Sequence, residues 1–287
     1  MIRRYSHTQP NPRLSSNLVK RAEEGKTGEE PPEHDFMPRK LLVVLPSYNE
    51  EIALSRLFPQ FEQLAERLEE NLQLLVVDDG SRDGTSAVAQ GWRGSIPVEV
   101  HQFPENRGYG AALEAGVSQA ARQLSAEDLI ATMDADDTHP PSYLQGMVQM
   151  LDEQEMDVVI ASRFAPGARE EGVPWHRMLL SRGASWFYRS AFDLPQVRDY
   201  SCGYRLFKAG LIQKSLQQHQ SLNLGAGFYA TGELLLRLRQ QTVKFAEVPF
   251  ELHYERKPTA SKMPKIATVL GTLRFLHRVR KQVKKHR

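Results

Sequence analysis

Apolar positions in this chain gather into short unbroken runs separated by amphipathic stretches, and the alternation begins abruptly near residue 39. Runs at 41–45, 74–77, 129–133 and 158–161 have strand length and are dominated by Leu, Val, Ile and Ala, as strands buried on both faces require, and the more polar segment 98–103 reads as a further strand. Between them, 52–70, 85–91, 109–124 and 142–151 carry apolar residues at helical spacing, the first continuing through Pro59. This alternation predicts an α/β fold, a mostly parallel Rossmann-like sheet flanked by helices. The second half is less regular. It predicts helices over 175–192 and 231–240, short strands at 204–207 and 243–248, and a long basic helix over 265–285. Residues 1–38 are rich in Pro, Ser, Gly and charge and show little periodicity, so they read as a disordered arm. The expected organisation is an arm over 1–38, one main domain over 39–262, and a basic amphipathic C-terminal helix over 263–287.

Composition narrows the classes. The chain has 287 residues, 40% hydrophobic and 25% charged, ordinary proportions for a globular core of this size. Its one cysteine, Cys202, excludes an intramolecular disulfide framework, fits a reducing compartment and reads as a small buried filler. No apolar run approaches the ~20 residues of a membrane-spanning helix. The basic N-terminus lacks the apolar stretch of a signal peptide. A cytoplasmic protein is expected.

The net charge of +2 conceals an asymmetry: Arg274 to Arg287 hold seven basic residues and no acid, while the body before them is mildly acidic. Ile266, Val269, Leu270, Leu273, Leu276 and Val279 fall near one face of the helix expected there. Two readings stand: a helix resting peripherally on an anionic membrane surface, or one packed on its own domain with a solvated basic end. Aromatic residues are too sparsely interleaved for a nucleic-acid partner.

Candidate chemistry sits where an open α/β sheet binds ligands, beyond the carboxyl ends of its strands. The first strand runs into Pro46-Ser47-Tyr48-Asn49-Glu50, the second into Asp78-Asp79-Gly80-Ser81 and then Asp83-Gly84-Thr85, the fourth into Asp134-Ala135-Asp136-Asp137. In extended backbone, residues i and i+2 share a side, so Asp134 and Asp136 can converge on one hard cation, Mg²⁺ or Mn²⁺. An acidic turn ahead of Pro140-Pro141 would look the same in isolation. Asp78 and Asp79 read either as turn residues or as acceptors for a nucleobase or ribose. His101, His139, His176 and His253 lack metal-ligand spacing and receive no catalytic role.

Taken in order, Pro-Ser-Tyr-Asn-Glu, Val-Val-Asp-Asp-Gly-Ser-x-Asp-Gly-Thr, Asn106-Arg107-Gly108-Tyr109-Gly110 and Met-Asp-Ala-Asp resemble glycosyltransferase family 2, and more narrowly its dolichol-phosphate mannosyltransferase branch. The resemblance runs from about Lys40 to Lys262. It includes Ala161-Ser162-Arg163-Phe164, Ser181-Arg182-Gly183, Asp199-Tyr200-Ser201-Cys202-Gly203-Tyr204-Arg205, Glu247-Val248-Pro249 and Arg256 with Ser261-Lys262.

It implies a GT-A fold and an inverting transfer of a hexose from a nucleotide diphosphate sugar to a polyprenyl phosphate. GDP-mannose is the favoured donor and a UDP-sugar the other. By the same resemblance, Pro46, Tyr48 and Glu50 line the nucleotide pocket, and Val77 and Asp79 face base and ribose. Asp134, Ala135 and Asp136 hold the diphosphate through Mg²⁺ or Mn²⁺. Arg163, Arg256 and Lys262 bind donor phosphates, and Arg182 the acceptor phosphate. Thr138 stands where relatives often place a further metal ligand, commonly Gln, and Thr259 replaces a Gly before Ser261-Lys262. A phosphate acceptor is already ionised and needs no general base; for a hydroxyl acceptor, Asp199 is the candidate base. The alternatives are a soluble family 2 transferase acting on a sugar hydroxyl and a catalytically silent GT-A binding module.

Overall fold

The first apolar run becomes the centre of a sheet. In a computed structural model that describes residues 38–171, 194, 196–225, 227 and 229–256, strand β1 is Lys40–Ser47, and all but its first residue is buried. Strands β2 (Asn71–Asp78), β3 (Val98–Gln102), β4 (Leu129–Thr132), β5 (Val158–Ser162), β7 (Arg205–Lys208) and β8 (Phe245–Pro249) complete a seven-stranded sheet in the order β3-β2-β1-β4-β7-β5-β8. Strand β6 (Arg169–Glu171) pairs in parallel with β9 (Glu251–His253) in a small second sheet. The helices are α1 (Glu51–Ala65), α2 (Thr85–Gln90), α3 (Tyr109–Gln123), α4 (Tyr143–Glu153), α5 (Ala209–His219) and α6 (Ala230–Gln241), and a 3₁₀ turn, Tyr254–Arg256, follows β9.

The seven-stranded sheet is parallel except at β7, which runs antiparallel to both β4 and β5. It is therefore mixed, and an apolar run carries no information about strand direction. Helix α1 does continue through Pro59 but stops at Ala65 rather than near residue 70. The next residues turn back so that Asn71 donates to the Arg39 carbonyl at 2.9 Å, setting β2 in register beside β1. Helix α5 and strands β6 and β9 have no counterpart among the elements the apolar pattern predicts. The helices expected over 175–192 and 265–285, together with Arg182 and Lys262, lie outside the described residues.

Strand order fixes where a ligand can sit. The chain winds β1 to β2 to β3 in one direction, then returns to lay β4 on the other side of β1. The carboxyl ends of β1 and β4 thus flank the topological switch point, the crevice where open α/β sheets bind ligands. Helix α3 covers this region and is capped by Gly108, whose φ of 94° an L side chain rarely adopts.

Close packing at the start of α3 leaves no room for a side chain at Gly110, where a Cβ would stand 1.7 Å from the Gly225 carbonyl oxygen. Gly110→Ala is therefore expected to destabilise the fold by about 1–3 kcal/mol despite alanine's better helix propensity. Chemical denaturation would read this, and an unchanged midpoint would show that the Gly225 loop can withdraw.

Candidate active site

Two loops at the carboxyl edge are laced together by reciprocal bonds. The Asn49 N–H donates to Ser81 Oγ and the Arg82 N–H to Asn49 Oδ1, each at 2.8 Å. The Glu50 N–H donates to Thr85 Oγ1 at 2.8 Å, and the Gly84 N–H to Glu51 Oε2 at 2.9 Å. Asp83 accepts from the Thr85 N–H at 3.0 Å and from the Glu51 N–H at 3.3 Å. The Ser-x-Asp-Gly-Thr stretch thus shapes the Tyr48-Asn49-Glu50 loop, with Asn49 in the left-handed region at φ 55°.

The paired aspartates after β2 divide their work. Asp78 is fully buried and accepts from the Ser81 N–H and the Ser86 hydroxyl, closing its own turn. Asp79 accepts from the Arg107 N–H at 2.7 Å and the Gly108 N–H at 2.9 Å, which anchors the loop entering α3. Burial pushes the Asp79 carboxyl up, and those two N–H groups pull against it. Each Asp79 oxygen keeps a lone pair beyond these two bonds.

Beside these loops lies a cleft of about 270 Å³ lined by Gly80, Ser81, Gln102, Phe103 and Pro104. The Arg107 guanidinium sits 4.6 Å from the Phe103 ring centroid. Val77 is fully buried in β2, two residues before Asp79. Pro46 is likewise buried, while Tyr48 is half-buried.

The acidic turn follows β4 at the switch point. Asp137 adopts φ 62° and accepts from Gln60 Nε2 at 3.0 Å, so the chain reverses sharply just after Asp136. Asp134 accepts from the Tyr109 hydroxyl at 3.3 Å. Burial, then the Asp134 charge, push that phenol well up, which keeps it a donor. Gly203 is packed into this corner: a Cβ there would stand 3.0 Å from the Tyr109 hydroxyl oxygen and 3.2 Å from Asp134 Oδ1. Thr138, expected as a metal ligand, donates its hydroxyl to Asp136 Oδ1 at 2.6 Å, so in this structure it steadies that carboxylate. The Thr138 carbonyl accepts from the His253 N–H at 3.1 Å, tying the turn to β9. Arg256 therefore follows three residues after a direct tether to the turn, with its side chain exposed.

A residue to which linear spacing gives no role enters this corner. His139 is 4% exposed, and its Nδ1 lies 4.0 Å from Asp134 Oδ2. Donor atoms of Asp134, Asp136 and His139 all fall within 4.8 Å of one another. Around a cation held at ~2.1 Å, neighbouring ligands are roughly 3 Å apart and opposite ones roughly 4.2 Å, so the side chains must draw together by up to about 2 Å to meet one ion. The only signal in the sequence is the position itself, three residues after Asp136.

Arg163 and Asp199, which the sequence motifs treat as separate groups, are partners. Arg163 Nε donates to Asp199 Oδ2 at 2.7 Å and a terminal guanidinium nitrogen to Oδ1 at 2.8 Å, a two-pronged fork. The same terminal nitrogen also reaches Ser201 Oγ at 2.7 Å. The Arg163 and Cys202 N–H groups donate to Asp199 at 3.1 and 3.0 Å. Burial alone would raise the pKa of this fully buried carboxyl; the Arg163 charge and the hydrogen bonds outweigh it and hold the group below the usual carboxylate range. Glu247 Oε1 accepts from the Arg198 and Asp199 N–H groups at 2.7 and 2.8 Å, so the Glu-Val-Pro stretch holds the same loop. Cys202 is a buried free thiol, pushed up to about 12 chiefly by burial, and packs as inert filler.

The family profile described as Glycosyl transferase family 2 matches residues 42–216 of this chain. The chain is 30% identical over 242 residues to the dolichol-phosphate mannosyltransferase of Pyrococcus furiosus, covering 84% of this chain and 64% of that protein. It is 31% identical over 178 residues to the polyprenol monophosphomannose synthase of Mycolicibacterium smegmatis, covering 61% of this chain and 64% of that protein. The match thus spans a little under two thirds of each of these relatives. The fold is also that of glucosyl-3-phosphoglycerate synthase from Mycobacterium tuberculosis, solved with Mn²⁺ and UDP-glucose. That likeness has a TM-score of 0.54 at 17% identity and covers 92% of this chain and 84% of that one. The architecture is GT-A.

Proposed function

The chain belongs to glycosyl transferase family 2, and on that premise we propose that it moves a hexose from a nucleotide diphosphate sugar to a polyprenyl phosphate with inversion. Mannose from GDP-mannose is the favoured donor sugar, consistent with what the two relatives are named for. The observation that carries the acceptor reading is Asp199. A general base works best with a pKa near the operating pH and within reach of the proton it removes. Asp199 is fully buried, held below the ordinary range and forked onto Arg163. A phosphate acceptor arrives ionised and asks for no such base.

In this reading the laced loops around Tyr48 and Glu50, with Asp79 and the adjoining cleft, receive the nucleoside. Asp134 and Asp136 face the diphosphate and would hold Mg²⁺ or Mn²⁺, and the buried His139 nitrogen beside them fits such an ion. When bound, the cation supplies Lewis-acid neutralisation of the departing diphosphate. Arg256, with Lys262 beyond the described residues, adds positive charge for phosphate oxygens. Arg182 is the candidate for the acceptor phosphate. The protein's own contribution is positioning and charge neutralisation in a preorganised site.

Among the described residues no helix is long and apolar enough to cross a membrane. In this reading the basic stretch from Arg274 to Arg287 is attracted to the anionic headgroups around a lipid-linked acceptor.

Radiolabelled sugar transfer to a short polyprenyl phosphate, with the matching prenol as control and GDP-mannose against UDP-glucose as donor, tests this directly. Labelling of the phosphate alone is expected. Labelling of the prenol would replace the proposal with a hydroxyl-acceptor transferase.

A further inference from the structure

We infer that His139 is a third protein ligand to the divalent cation of the acidic turn, through Nδ1, and that it biases the site toward transition metals over Mg²⁺. The inference rests on the glycosyltransferase reading only in placing a divalent cation at that turn.

Two carboxylates alone would not carry it. The independent observation is an imidazole nitrogen that is buried, aimed at the cluster and without a hydrogen-bond partner among the described residues. Desolvating such a nitrogen costs free energy unless something in the folded, loaded protein engages it. The nearest candidate, Asp134 Oδ2, stands at 4.0 Å, beyond hydrogen-bond reach, yet the donor atoms of Asp134, Asp136 and His139 lie within 4.8 Å of each other. A cation between them would satisfy the nitrogen and both acids together.

The ring is also fixed in place rather than left to find the ion. Tyr204 and Phe250 pack against it at centroid distances of 5.5 and 5.4 Å. Tyr204 in turn donates its hydroxyl to the carbonyls of Pro140 and Pro141 at 3.1 and 3.2 Å, anchoring the backbone that follows His139. Thr138, the other candidate for a third ligand, has its hydroxyl directed to Asp136. Neighbouring residues thus take different roles, Thr138 orienting a ligand and His139 supplying one. Mg²⁺ favours an all-oxygen shell, whereas an imidazole nitrogen strengthens binding along the series from Mn²⁺ toward Co²⁺ and Ni²⁺.

The test uses the full chain, uniformly ¹⁵N-labelled, with Mn²⁺ and unlabelled GDP, read by electron spin echo envelope modulation. Nitrogen modulation from a directly bound protein ¹⁵N is expected in the wild type and should vanish in His139→Phe, which keeps an aromatic ring against Tyr204 and Phe250. Titration of the same variant should show Mn²⁺ affinity reduced by about tenfold or more, with the loss for Mg²⁺ clearly smaller. Mn²⁺ bound at the site without nitrogen coupling in the wild type would overturn the ligand assignment and leave the transferase reading standing. Sugar transfer that persists in EDTA, with no Mn²⁺ bound, would overturn the assignment and the metal site together. The wild-type spectrum decides the matter even if the substituted chain does not fold.

Discussion

Asp136→Asn is expected to lower sugar transfer by about 10²-fold or more while leaving the fold intact, because it removes one unit of charge from the acidic turn and almost no volume. Asp136 is 8% exposed as a residue, and Thr138 donates to its Oδ1 through both hydroxyl and N–H, at 2.6 and 3.3 Å. An asparagine can keep its amide oxygen on those two donors, so the turn should survive. What it cannot do is present an anionic oxygen on the other side. The loss should appear in donor binding as well as turnover: calorimetric affinity for the nucleotide sugar in Mn²⁺ should fall to the value the wild type shows in EDTA. Wild-type protein in EDTA binding the donor as tightly as in Mn²⁺, with the variant equally tight, would remove the metal from the donor site. A variant that loses affinity and also unfolds at markedly lower denaturant would instead make Asp136 a structural residue of the turn.

The sequence exposes this turn more readily than its surroundings, for physical reasons. A strand buried on both faces is an apolar run whatever its neighbours, so β1, β2, β4 and β5 are legible from composition alone. Their polar terminal residues mark the ligand edge of the sheet. Strand direction leaves no such mark: β7 is a four-residue strand, and only its partners make it antiparallel. Helix α5 escapes the apolar pattern because its buried face is small, Ala209, Leu211, Ile212 and Ser215, while Gln and Lys fill much of the rest. The three-residue strands β6 and β9 are too short to show a period, yet β9 matters to the site because it tethers Thr138.

Side-chain partnership is the least legible property. Motifs name Arg163 and Asp199 separately, and nothing in a separation of 36 residues says that one neutralises the other. Linear spacing gives His139 no ligand role, although a tight turn with Asp137 in the left-handed region folds it back beside Asp134.

Arg163→Met is the substitution expected to cost the most stability, about 3–5 kcal/mol, because it strands a charge rather than merely removing one. Asp199 has no exposed surface, and its Arg163 partner is only 16% exposed in its side chain, so water cannot replace the guanidinium. The remaining backbone donors, the N–H groups of position 163 at 3.1 Å, Cys202 at 3.0 Å and Ser201 at 3.3 Å, are neutral and satisfy only part of the carboxylate. Linkage gives the effect a characteristic pH dependence. In the wild type the folded pKa of Asp199 is depressed, so its contribution is fully present above the unfolded value of about 3.9 and is lost as pH falls through the folded pKa. In Arg163→Met, burial acts unopposed by the guanidinium and raises the folded pKa. Protonation then relieves the variant as pH falls through that raised value, while the wild type is still ionised. The stability gap between the two should therefore be widest near neutrality and narrow on acidification, measured by urea unfolding from pH 7 down to the lowest pH at which both chains fold. The double variant Arg163→Met with Asp199→Leu should recover a substantial part of the loss at neutral pH, since an apolar pair of similar volume leaves no buried charge. A gap that is independent of pH, or a double variant no more stable than the single, would show that Arg163 supports the fold by packing against Phe164, whose ring centroid lies 5.2 Å from its guanidinium carbon, rather than by neutralising Asp199.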